Sequence, residues 1–260
     1  MKLIWIFTVV FASSGLMATN PVDVKRGIEI AREADARDDG FADNQASLQM
    51  ILKNRQGHTS TRLLRNRSLE VSNDGDKLLV LFDQPRDVKG TAFLVFSHGT
   101  GPDDQWLYLP ALKRVKRIAS NNKSGPFMGS EFAYEDLASQ ELDKYDYRFI
   151  GEETLDGTPT FVIERIPHDP KSGYARQVVW YDQAEYRLQK IDFYDRKNDK
   201  LKTLVYSGYQ QYLGKYWRAN RMFMQNHQTG KSTELLFEDY SFQTGLTERD
   251  FDRNSLKRAR

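Results

Sequence analysis

Residues 47–54, SLQMILKN, put Leu48, Met50 and Leu52 on one side of an extended chain. That is a period of two, the signature of a strand with one buried face. The pattern continues outward. TRLLRNRSLEV (61–71) alternates with Arg62, Arg65 and Arg67, while DKLLVLFDQ (76–84) and TAFLVFS (91–97) are almost wholly apolar, as strands covered on both faces would be. WLYLP (106–110), TPTFVIERI (158–166), YARQVVWYD (174–182), RLQKIDFYD (187–195), LKTLVYSGY (201–209), YWRANRMFMQ (216–225) and STELLFEDYSF (232–242) follow. Turn signals separate the runs: Asp74-Gly75, Asp156-Gly157, Asp182-Gln183, Asn198-Asp199 and Thr229-Gly230. No βαβ rhythm appears, so a doubly wound sheet is excluded. The expected fold is mainly β, with ten or eleven antiparallel strands forming a large barrel or a strongly curved sheet.

Helical signals are few. Residues 22–38 place Val24, Ile28, Ala31 and Ala34 at helical spacing, with Asp38, Asp39 and Gly40 as the stop. Shorter helices are expected at 129–139, capped by Ser130, and at 247–258, capped by Thr247. The amino terminus reads differently. Lys2, the apolar run Leu3–Ala12 and the small residues after it form a secretory signal, cut after Ala18. Residues 19–260 then form a single domain, soluble and periplasmic.

Composition narrows the function. The 260 residues hold 38 Lys and Arg against 36 Asp and Glu, which removes the electrostatic case for nucleic acid. The chain has no cysteine, hence no disulfide, no thiolate metal site and no lipid-anchored amino-terminal Cys. His58, His98, His168 and His227 form no metal-ligand pair, and no GxSxG elbow follows a strand. Thr229-Gly230-Lys231-Ser232-Thr233 resembles the end of a phosphate loop, but Gln225 stands where that motif needs glycine. Neither an enzyme nor a cofactor or metal site is expected.

What the chain does offer is concave apolar surface and a cover for it. An eight-stranded barrel fills itself with side chains, whereas a larger curved sheet leaves an interior to be lined. The candidate lining is Leu48, Met50 and Leu52, Leu79 and Leu81, Leu94 and Phe96, Trp106 and Tyr108, Phe161 and Ile163, Val178 and Trp180, and Ile191 and Phe193. An ordinary closed core would use the same residues. The candidate lid is residues 123–139, with Phe127, Met128, Phe132 and Tyr134 beside the chain breakers Gly125, Pro126 and Gly129. A loop that plugs the barrel end permanently is the other reading. Glu131, Glu135 and Asp136 are placed to latch onto the basic run Lys113, Arg114, Lys116 and Arg117.

Two segments carry a family resemblance. Pro85–Thr91 leads to Trp106-Leu107-Tyr108-Leu109-Pro110-Ala111-Leu112-Lys113-Arg114-Val115, and Phe127–Phe132 leads to Tyr134-Glu135-Asp136-Leu137. The pattern resembles the outer-membrane lipoprotein-sorting proteins, the branch of LolA- and LolB-like periplasmic carriers. The resemblance implies an incomplete, strongly curved antiparallel β-barrel of about eleven strands capped by short α-helices, with an apolar cavity that binds acyl chains of a lipid or lipoprotein. It also implies movement of that cargo toward the outer membrane from an inner-membrane transporter of the resistance-nodulation-division superfamily, with transient contact at a membrane surface. A structural adaptor of such a transporter, with no cargo of its own, is the alternative.

Overall fold

A computed structural model describes residues 20–258. The signal segment expected at 1–18 lies outside the described residues. One helix, α1 (Pro21–Asp38), precedes thirteen strands, all antiparallel and all in one sheet. They are β1 (Asp43–Lys53), β2 (Thr59–Leu69), β3 (Lys77–Gln84), β4 (Ala92–Phe96), β5 (Asp104–Leu109), β6 (Arg114–Arg117), β7 (Tyr145–Leu155), β8 (Thr158–Pro167), β9 (Tyr174–Asp182), β10 (Leu188–Asp195), β11 (Lys200–Tyr212), β12 (Tyr216–Asn226) and β13 (Ser232–Phe242). Their order is β6-β5-β4-β3-β2-β1-β13-β12-β11-β10-β9-β8-β7. The chain thus runs outward from the centre to one edge, crosses through residues 118–144, and returns from the other edge to close beside β1. The two edges do not pair, so the barrel is incomplete, as the family resemblance implies.

Two strands escape that pattern, and both are edges. β6 is Arg114-Val115-Lys116-Arg117, with only Val115 part-buried. Cations along an unpaired edge discourage pairing with another chain and erase the alternation. β7 is mostly exposed on one face and covered by α1 on the other. The helix comes close because of Gly27. A Cβ there would meet the backbone nitrogen of Phe149 at 2.7 Å, so any larger residue would push the helix off the strand. The buried face of α1 is Gly27, Ile30 and Ala31, while Val24 is exposed. The expected stripe through Val24 is therefore rotated, because the closest contact falls at the glycine.

The other predicted helices are short 3₁₀ turns. Ser130 ends the turn Phe127–Gly129 and starts none; its hydroxyl donates to the Phe127 carbonyl at 2.7 Å. The cap one turn later is Asp136, which accepts from the Ala133 amide at 2.7 Å. Thr247 does cap its turn, paired with Asp250.

Candidate ligand site on the inner face

The curved sheet buries apolar side chains on both faces. The inner cluster includes Leu48, Met50, Leu64, Val80, Phe82, Phe93, Val95, Ile163, Val179, Ile191, Phe193, Leu204, Met224 and Leu235. Leu52 and Phe161 pack on its margin. On the outer face, Leu79, Leu81, Leu94 and Trp106, with Phe96 and Tyr108 beside them, lie under Phe251 and Leu256. Val178 and Trp180 form a third cluster with Val162.

The fifteen expected lining residues are therefore not one surface. Leu48, Met50, Leu52, Phe161, Ile163, Ile191 and Phe193 share the inner face; Leu79, Leu81, Leu94, Phe96, Trp106, Tyr108, Val178 and Trp180 do not. The cause is register. In 76–97 both parities are apolar, so the sequence offers no preference between Leu79–Leu81 and Val80–Phe82. The choice is made by what covers each face: the chain's carboxy-terminal turns outside and residues 123–139 inside.

Those residues lie on the inner apolar surface. Phe127 is 1% exposed and sits against Phe93 at 5.0 Å, Tyr134 at 5.6 Å and Phe82 at 5.8 Å between ring centroids. Phe132 is buried too, and Met128 and Tyr134 are part-buried beside it. The segment closes on itself through a Phe127 amide to Phe132 carbonyl bond of 2.7 Å. Met128 and Gly129 both take left-handed backbone, φ 50° and 79°. For a residue with a Cβ, that conformation costs about 1–2 kcal/mol.

Polar contacts pin the segment. Lys202 of β11 donates to Asp136 at 2.6 Å and to the Glu131 carbonyl at 2.9 Å, and the Lys202 and Asp136 side chains are each only 4% exposed. The Tyr174 hydroxyl donates to the other Asp136 oxygen at 2.6 Å. Burial, and then the charge of Asp136, hold that phenol well above its ordinary pKa. Asn226 donates to the Glu131 carboxylate at 2.7 Å, and Arg62 of β2 donates to the Met128 carbonyl at 2.6 Å. Glu135 accepts from the Ser172 hydroxyl and the Gly173 amide, while burial raises its pKa. Gly173 is needed here, since a Cβ would lie 2.7 Å from Ser124.

The latch expected from Lys113, Arg114, Lys116 and Arg117 is absent from these contacts. Arg117 pairs with Asp104 of the neighbouring strand, and the run lies exposed along the β6 edge. The cations that hold the segment, Lys202 and Arg62, come from strands beneath it. Their signal was parity: Lys202 shares its side of β11 with Leu204.

Beyond the segment the inner face changes character. A cavity of about 850 Å³ is walled by Ala31 and Asp35 of α1, Ser139 and Gln140 at the end of the inserted segment, and Tyr147, Arg165 and Tyr181 of β7 to β9. It is polar and tyrosine-rich, where the sequence suggests an aliphatic trough. Burial, then the charges of Asp39, Glu141 and Asp38, raise Asp35 to about 6. Burial also raises Asp76, on the same cavity wall, to about 7, against a hydrogen bond from Val71 that works the other way.

The site is thus an open antiparallel half-barrel with an inserted segment seated on its inner apolar surface and a cavity beside it. The chain belongs to the family of outer-membrane lipoprotein-sorting protein domains and shares the LolA fold. It is 62% identical to a domain from Vibrio parahaemolyticus assigned to outer-membrane lipoprotein sorting, covering 90% of this chain and 99% of that one, with a TM-score of 0.89. A DUF1329 family protein from Desulfovibrio piger is 31% identical, with 90% and 99% covered and a TM-score of 0.85. A LolA superfamily protein from Nitrosomonas europaea, 21% identical over 87% and 97% of the two chains, shares the fold at a TM-score of 0.69. The family model that matches residues 74–258 carries the description "Uncharacterized protein". No curated protein matches.

Proposed function

We propose that this protein is a periplasmic carrier that holds acyl chains of a lipid or lipoprotein on its inner face, with residues 123–139 as the lid. The reading includes a mature single domain beginning after Ala18. Cargo would pass from an inner-membrane transporter of the resistance-nodulation-division superfamily toward the outer membrane. Among the described residues no helix is long and apolar enough to cross a membrane, and the identity to a lipoprotein-sorting domain supports the family role.

The observation that carries the reading is what the lid covers. Phe127 and Phe132 stand where a hydrocarbon tail would be buried, on a bed of aliphatic and aromatic side chains. A tail leaving water gains about 0.8 kcal/mol per methylene. That is enough to displace an inserted segment pinned by a few polar contacts and strained at Met128.

One observation favours the second reading, an adaptor without cargo: with the lid down, the apolar bed is filled. Native mass spectrometry of the protein purified from periplasm, with extraction of bound lipid, separates the two. A carrier retains acylated molecules and binds a fluorescent fatty-acyl probe. An adaptor is empty and does not.

A further inference from the structure

The polar cavity beside residues 123–139 holds a buried cation that no carboxylate among the described residues pairs with. Arg165 is 3% exposed and sits on the inner side of β8, opposite Tyr147 of β7 and Gln177 of β9. Its Nε donates to Gln177 Oε1 at 2.6 Å, and its guanidinium lies 5.0 Å from the centre of the Tyr145 ring. Among the described residues no carboxylate lies within ion-pair distance of it. Lys202, comparably buried, holds Asp136 at 2.6 Å. A guanidinium keeps its proton at any physiological pH, so burial cannot neutralise it. Burying such an ion without a partner is costly, and a planar fork with donors to spare matches a carboxylate or phosphate.

The surroundings fit that partner. Arg165 faces the cavity of about 850 Å³, together with Tyr147 and Tyr181. Burial holds both phenols above their ordinary pKa, so they remain neutral hydroxyls that can donate. The indole N–H of Trp217, also on the cavity wall, is buried without a hydrogen-bond partner. The cavity's other cations are engaged, Arg37 with Glu33 and Glu185, Arg187 with Asp182, Arg218 with Asp38 and Lys215 with the Asp39 carbonyl, and acids such as Asp35, Asp76 and Glu141 share the wall. An anion therefore finds at Arg165 a buried cation that no carboxylate holds, and a headgroup with several negative charges meets repulsion from the acids of the lining. The cavity begins where the lid ends, at Ser139 and Gln140, so a headgroup at Arg165 leaves its tail directed under the lid.

Building on the carrier reading, we infer that Arg165 and its ring of tyrosines form the headgroup site for an amphiphile bearing a single anionic group, carboxylate or phosphodiester. Delipidated protein is titrated with oleate, with oleyl alcohol and with inorganic phosphate, as wild type, Arg165→Met and Arg165→Lys. Circular dichroism checks that each variant folds. The expected result is a preference of wild type for oleate over oleyl alcohol of tenfold or more. Arg165→Met loses the preference while its affinity for oleyl alcohol stays within twofold, and Arg165→Lys keeps part of it. Equal binding of oleate and oleyl alcohol to wild type overturns the site and leaves the carrier reading intact, as does a preference that survives in Arg165→Met. Binding of phosphate alone, abolished in Arg165→Met, keeps the anion site and removes the acyl carrier. No binding of any of the three removes both. Should Arg165→Met not fold, the wild-type preference decides on the same terms.

Discussion

Lys202 Nζ and Asp136 Oδ2 lie 2.6 Å apart, with both side chains almost fully buried. Among the described residues this is the one contact that ties the inserted segment to the sheet through opposite charges out of water. Removing one partner of such a pair strands the other, at about 3–5 kcal/mol. Lys202→Met is expected to lose stability of that order in urea denaturation. Amide exchange over residues 127–137 should accelerate more than over β11 itself. Unchanged protection of 127–137 would contradict the role of the pair as the latch.

Phe127→Ala tests the bed beneath the lid. Emptying a site filled by a phenyl ring costs about 3–5 kcal/mol. If the lid and an acyl chain compete for one surface, weakening the closed state raises the fraction of protein able to bind. A fluorescent acyl probe should then bind Phe127→Ala more tightly than wild type, despite the variant's lower stability. Weaker probe binding, measured below the melting temperature, would mean that Phe127 helps hold the cargo and does not stand in for it.

Leu94→Ala separates the two faces. Leu94 is fully buried, but in the outer cluster with Phe251 and Leu256. The expected cost is about 2–5 kcal/mol in stability, with probe affinity unchanged. A large loss of probe affinity in a folded Leu94→Ala protein would place the site on the outer face.

Asp76 and Asp35 make stability depend on pH. Both are held above the ordinary carboxylate value, at about 7 and about 6, chiefly by burial. The folded protein therefore binds more protons than the unfolded chain between about pH 4 and 7. The stabilisation is full below pH 4 and is lost as pH rises through 6 and 7. Melting temperatures across pH 4.5–8 should fall more steeply for wild type than for Asp76→Asn, which stays neutral throughout and keeps an oxygen for the Val71 amide. Parallel curves would show that Asp76 titrates normally.

Where the sequence can be read, it is because one side of a strand meets water. The spacing of Leu48, Met50 and Leu52 is visible since Gln49 and Lys53 interrupt it, and those three residues do face inward. The same logic fails in 76–97, where neither parity is polar, and at β6 and β7, where an edge position removes the alternation. Arg165 and Lys202 were legible in principle. Each occupies a core-facing parity, Arg165 beside Phe161 and Ile163, and a charge at such a position marks either a buried pair or a ligand contact.

By itself the sequence determined the period-two strands, the first helix and the absence of cysteine chemistry, and it singled out residues 123–139 as apolar side chains set beside chain breakers. Those are local properties: hydrophobic spacing, turn chemistry and composition act within a few residues. Only the tertiary structure decided which face each strand turns inward. It also decided that Lys202 rather than the 113–117 run holds residues 123–139, and that the remaining cavity is polar and carries an arginine with no carboxylate partner among the described residues. Each of these depends on a contact between groups far apart in the chain, and such contacts are chosen by the closing of the whole sheet.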